Sequence, residues 1–197
     1  MKLPIYQLEI SEDLNDDVEV DFVALVDRPA IERDFLKFKE DKAKFVIKSE
    51  DRRIVSGALM LADTPIYRND QNGEYYVTFT KDTIEKIAQK FFKKGYQSNV
   101  NLMHDEALAV EGVTMYESWL VDSSRGIVAM KGFEDAPEGS WFGSFKVENE
   151  SVWNKIKSGE FKGFSVEGVF NYKKEKQPMS VEESLWSEIC SILEQVK

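Results

Sequence analysis

Apolar residues recur along this chain at two spacings. Alternation of period two, the mark of a half-buried strand, opens the stretch Glu19-Val20-Asp21-Phe22-Val23-Ala24-Leu25-Val26 and then gives way to a continuous apolar run. Ile54 to Ala62 is apolar almost throughout and is interrupted by Gly57. Tyr75-Tyr76-Val77-Thr78-Phe79 is rich in β-formers and follows the turn signal Asn72-Gly73. Val113 to Val121, Gly126 to Phe133, Trp141 to Val147 and Gly163 to Tyr172 extend the series of predicted strands.

A spacing of three and four residues marks three helices. Thr80 is a predicted N-cap; Ile84, Ile87, Ala88 and Phe91 then share a face, and Gly95 stops the helix after Lys93 and Lys94. A shorter helix follows Asn149, carries Val152, Trp153 and Ile156, and ends near Gly159. The last begins with a capping box, Ser180 and Glu183, and presents Leu185, Ile189, Ile192, Leu193 and Val196 as one stripe. The fold class these elements predict is mainly β with flanking α-helices (α+β), mostly antiparallel and barrel-like. Lys173-Lys174-Glu175-Lys176-Gln177-Pro178 reads as a polar linker. The predicted organisation is therefore a domain over 1–172, a linker over 173–179 and an amphipathic helix over 180–197. That helix packs on its own domain or serves self-association.

Composition narrows the function. With 197 residues, 42% of them hydrophobic, the chain can bury a core. Its formal net charge of -10, without basic patches, argues against nucleic-acid binding. No apolar run is long enough to span a membrane, and no signal-peptide core is present. The acidic run Ser11 to Asp17 lacks the glycine and closing glutamate of a calcium loop, so a solvated loop is the default reading. One cysteine, Cys190, excludes an intrachain disulfide, and with one histidine it excludes a Cys/His zinc cluster. Neither a metal nor an organic cofactor is expected. Phosphate-binding glycine motifs and the Gly-x-Ser-x-Gly elbow are absent.

The candidate chemistry gathers around His104, the single histidine and the one side chain that ordinarily titrates near neutral pH. Ser165 and Glu167 sit in Gly163-Phe164-Ser165-Val166-Glu167-Gly168, where strand alternation points both to one face. Glu117 interrupts an otherwise apolar and aromatic strand, so it is either solvated or buried with a partner.

Several segments, taken in order, resemble the prohead proteases of phages, in the XkdF-like serine protease family. They are Val26 to Glu32, Gly57 to Met60, Asn101 to Asp105, Glu117-Ser118-Trp119, Gly139 to Phe142 and Gly163 to Gly168. The resemblance implies a capsid maturation endopeptidase, similar to herpesvirus assemblin in its β-barrel fold, with histidine and serine on neighbouring strands. It maps the base to His104 and the nucleophile to Ser165. It leaves the third member to an acid: Glu117 first, Glu167 second, with Asp105 and Glu188 weaker. It implies scaffolding protein and major capsid protein as substrates, together with the enzyme's own termini. The place of action it implies is the host cytoplasm, inside the assembling prohead. The alternative is a head-associated structural or scaffolding protein on the same fold, without catalysis.

Overall fold

The computed structural model describes residues 3–27, 46–50, 52–71 and 73–174. The predicted terminal helix and most of the linker lie outside these residues. Among the described residues, eleven strands and two α-helices are laid out in chain order. They are β1 (Ile5–Glu9), β2 (Val20–Val26), β3 (Val46–Ser49), β4 (Ile54–Met60), β5 (Ile66–Asp70), β6 (Gly73–Thr78), α1 (Lys81–Lys93), β7 (Val100–Leu102), β8 (Val113–Leu120), β9 (Trp141–Val147), α2 (Glu150–Lys157), β10 (Gly163–Gly168) and β11 (Asn171–Lys174).

The strands form three sheets, ordered β11-β1-β6-β5, β10-β2-β7 and β3-β4-β9-β8. All pairs are antiparallel except β1 with β6 and β2 with β7. The molecule is thus mainly β with two flanking helices, as the patterning predicts. A closed barrel is not formed among the described residues. β10 and β4 lie side by side, but the hydrogen-bond ladder does not continue from one sheet to the next.

Burial explains why β4 reads as a continuous apolar run, since all seven of its residues are buried. Phe145 of β9 stacks on Phe164 of β10 at 4.5 Å, and Phe91 of α1 meets Trp141 edge-on at 5.6 Å. These rings tie the sheets and α1 into one core. Thr80 caps α1 through its side chain, and Asn149 caps α2 likewise. Gly126 to Phe133, predicted as a strand, is not one. Positive φ at Gly126 and Gly132 turns the chain, and Ile127 makes a single bridge to Asp122. Its apolar residues Met130 and Phe133 dock instead against Phe142 in a smaller cluster. Gly163 to Tyr172 divides into β10 and β11, which join different sheets.

Two features fix the strand that carries Ser165. The acidic loop ahead of β2 wraps the ammonium of Lys90, a buried lysine of α1. Lys90 donates to the carbonyls of Ser11, Asp13 and Asp16 at 3.1, 2.7 and 2.8 Å and pairs with Glu19 at 3.1 Å. The loop therefore surrounds a cation that the fold itself supplies, and this anchors the start of β2. At the same end, opposite Val20, a Cβ on Gly168 would lie 2.0 Å from the Glu19 carbonyl oxygen. Only glycine lets β10 pass this close to β2, where the register shifts after Glu167.

Candidate active site

β2 is the central strand of the sheet that builds the site. Its Ala24 faces Ser165 of β10 on one side and Asn101 of β7 on the other. Residues opposed in register project to the same face. Ser165, Ala24 and Asn101 therefore form one row, and Glu167 stands two residues from Ser165 on that face. Ala24 is small, so the space above it is open to its longer neighbours. Across that space the Asn101 amide donates to Glu167 Oε2 at 2.8 Å.

His104 arrives from the other edge of the sheet. β7 ends at Leu102 and the chain reverses over Met103 and His104, with the Asp105 N–H donating to the Leu102 carbonyl at 3.1 Å. Met103 and His104 both have positive φ, at 57° and 61°. Glycine, asparagine and aspartate favour this geometry; a methionine and a histidine adopt it at a cost of about 1–3 kcal/mol each. The Met103 N–H donates to the Leu25 carbonyl and holds the turn against β2. His104 is therefore not on a strand, and β2 separates β7 from the serine strand; both points correct the expectation of neighbouring strands.

The turn brings His104 Nδ1 to 3.4 Å from Glu167 Oε2, at the long end of hydrogen bonding. A carboxylate oxygen only accepts, so a hydrogen bond here requires the ring proton on Nδ1, and a neutral ring in that tautomer has Nε2 as its acceptor. Ser165 is 6% exposed and lines the same cavity as His104 and Glu167. Its hydroxyl makes no hydrogen bond to another described residue, His104 included.

Asn101 is fully buried, and its Oδ1 has no hydrogen-bond partner among the described residues. An orphaned buried acceptor costs on the order of 1–3 kcal/mol. A leucine or valine in that place would avoid the cost, so the amide is explained by what its other end does for Glu167. Sequence reasoning missed Asn101. The signal was a lone polar residue inside Val100-Asn101-Leu102, on a strand too short for the alternation to stand out.

Glu117 lies elsewhere. It is exposed on β8, beside a register shift that sets it opposite Ser144, and it does not line the cavity. Its motif neighbours serve packing: Ser118 accepts from the Trp141 indole at 2.8 Å, and Trp119 stacks on Phe142 at 5.7 Å. Ser140 accepts from the Ala62 N–H at 3.1 Å. Asp105 turns away from the cavity region and accepts from the Ala107 N–H. Glu188 lies outside the described residues. The acid that the fold sets against His104 is Glu167.

Arg68 of β5 also lines the cavity, and sequence reasoning missed it as well. Loss of solvent around its guanidinium pulls its pKa below the ordinary value, while Tyr172 and Tyr75 act in the opposite sense. Among the described residues no group of three or more His, Cys, Asp or Glu could hold a metal ion. None of the described helices is long and apolar enough to cross a membrane.

Comparison with known proteins bears on this arrangement. The profile of the family described as "Putative phage serine protease XkdF" matches residues 42–173. The chain belongs to this family. Asn101, His104, Glu117, Ser165 and Glu167 all fall inside the XkdF match. The phage-like element PBSX protein XkdF of Bacillus subtilis (strain 168) is 25% identical over 169 residues, covering 80% of this chain and 55% of that protein. The uncharacterized protein YqbD of the same strain is 29% identical over 175 residues, covering 84% of this chain and 49% of its own length. The chain thus spans about half the length of these curated relatives. No solved structure matches it.

Proposed function

We propose that this chain is a serine endopeptidase that processes scaffolding and capsid proteins, and its own termini, during maturation of a phage prohead. Ser165 attacks the scissile carbonyl, and His104 Nε2 takes its proton and later delivers it to the leaving amine. Glu167 holds the Nδ1 tautomer and stabilises the imidazolium that forms. Asn101 positions Glu167 from beneath. The observation that carries this reading is the convergence of Ser165, His104 and Glu167 on one cavity, with the carboxylate at Nδ1 and Nε2 left open. Membership of a phage serine protease family supports it independently.

A non-catalytic role in the head is favoured by one observation: Ser165 and His104 share the cavity without a hydrogen bond between them. In resting enzymes that bond is often long and tightens only with substrate. A fluorophosphonate probe, which reacts with activated serines, separates the two readings. The full chain is expected to acquire one adduct, mapped to Ser165 by peptide mass spectrometry and abolished by His104→Ala. An absent adduct, or one that persists without His104, would favour the structural role.

A further inference from the structure

The cavity beside Ser165 has a second wall that the proton-transfer chemistry leaves unexplained. Register places Leu8 and Tyr172 on one face of the β11-β1-β6-β5 sheet, together with Ile66 and Arg68. All four line the cavity opposite β10. Leu59 and Phe79, both buried, extend the apolar lining inward. The cavity holds about 240 Å³. That exceeds the roughly 150 Å³ that accepts a benzene ring, so a leucine, methionine or phenylalanine side chain fits.

Arg68 gives this chamber a charge. Its guanidinium has five donors, and among the described residues it donates to the carbonyl of its own neighbour Tyr67, at 3.1 Å. No carboxylate among the described residues lies within ion-pair distance of it. The acid lining the cavity, Glu167, is already engaged by Asn101 and His104. In a protein with a net charge of -10, Arg68 is an exposed arginine at the rim of a largely apolar cavity, with no acid paired to it among the described residues. It complements a ligand that is apolar in one part and anionic in another.

We propose that this cavity is the substrate side-chain subsite, receiving a Leu, Met or Phe of the substrate polypeptide while Arg68 holds an Asp or Glu of the same segment. This rests on the reading of Ser165 and His104 as an endopeptidase site and adds the class of sequence it cuts.

Binding and cleavage are read separately with one degenerate peptide library. The full chain carrying Ser165→Ala is immobilised, and the peptides it retains are sequenced; the wild-type chain receives the same library, and its products are sequenced. The expected result is enrichment of Leu, Met or Phe at one position and of Asp or Glu at a fixed distance from it. The acidic preference should be about fivefold, the effect of one partly exposed ion pair. Adding Arg68→Glu should replace that preference with Lys or Arg and leave the apolar preference intact. Retained peptides without apolar enrichment, an acidic preference unmoved by Arg68→Glu, or no retention at all overturns the subsite. Retention with the expected signature but no wild-type cleavage overturns the endopeptidase reading and leaves the subsite standing. Cleavage without the signature does the reverse.

Discussion

Asn101 and Glu167 give the sharpest tests at the scale of single residues. If Glu167 orients the imidazole, Glu167→Gln should lower kcat by about 10²–10⁴-fold, as removing the acid does in other serine triads. Glu117→Gln should leave kcat within about twofold, as a surface change does. Asn101→Leu removes a buried unsatisfied oxygen together with the brace on Glu167. It is expected to hold or raise the melting temperature while lowering kcat at least tenfold. Long-range ¹⁵N spectra are uncluttered, because His104 is the single histidine. They should show the Nδ1–H tautomer in the wild type and a mixture in Asn101→Leu. A fall in stability with no change in tautomer or kcat would make Asn101 an ordinary packing residue. His104, Ser165 and Glu167 could be named as candidates from two short segments of sequence, but that the three line one cavity could not be read there. Nor could the choice between Glu117 and Glu167, because it depends on which strands meet across Ala24.

Element by element, patterning was legible wherever one face or both are buried, as in β2, β4, β9 and α1. It failed where a strand is very short or where apolar residues pack from irregular chain: β7 has three residues, and the 126–133 segment makes one bridge and docks Met130 and Phe133 against Phe142. The His104 turn belongs to the second group. Positive φ at Met103 has no local sequence signal, since methionine does not favour it, whereas histidine at the next position is among the residues that adopt it more readily. Met103 is 47% exposed, so Met103→Asn loses little packing. It should stabilise the protein by about 0.5–1 kcal/mol by easing the turn, measured by urea unfolding. The β2 anchor behaves oppositely. Lys90→Met strips the ammonium from three carbonyls and Glu19, and should destabilise by about 3–5 kcal/mol. A loss under about 1 kcal/mol would show that the loop holds without it.

Over the whole molecule, carboxylates held by hydrogen bonds set the acid limit of stability. Burial works to raise the Glu19 carboxyl, but hydrogen bonds from Lys94, Tyr96 and Lys90 outweigh it and hold the group below its ordinary value of 4.5. Hydrogen bonds from Ser124 and Arg125 hold Asp122 down to about 2. Such groups bind protons more readily unfolded than folded. Their stabilisation is complete above the ordinary carboxylate range and is lost as pH falls through the lower folded values. The melting temperature should therefore drop as pH falls below about 4.5, and Glu19→Gln should shrink that drop; equal slopes in both proteins would contradict this. The three sheets bring Ser165 and Glu167 of β10 to a cavity that His104 also lines, and the proposed endopeptidase rests on that convergence. The most direct test of that proposal is co-expression of the chain with the capsid and scaffolding proteins proposed as its substrates, beside Ser165→Ala, read by intact mass. Discrete truncations of the partner proteins, present with the wild type and absent with Ser165→Ala, are the predicted result. Identical masses in both, with heads still assembling, would contradict it.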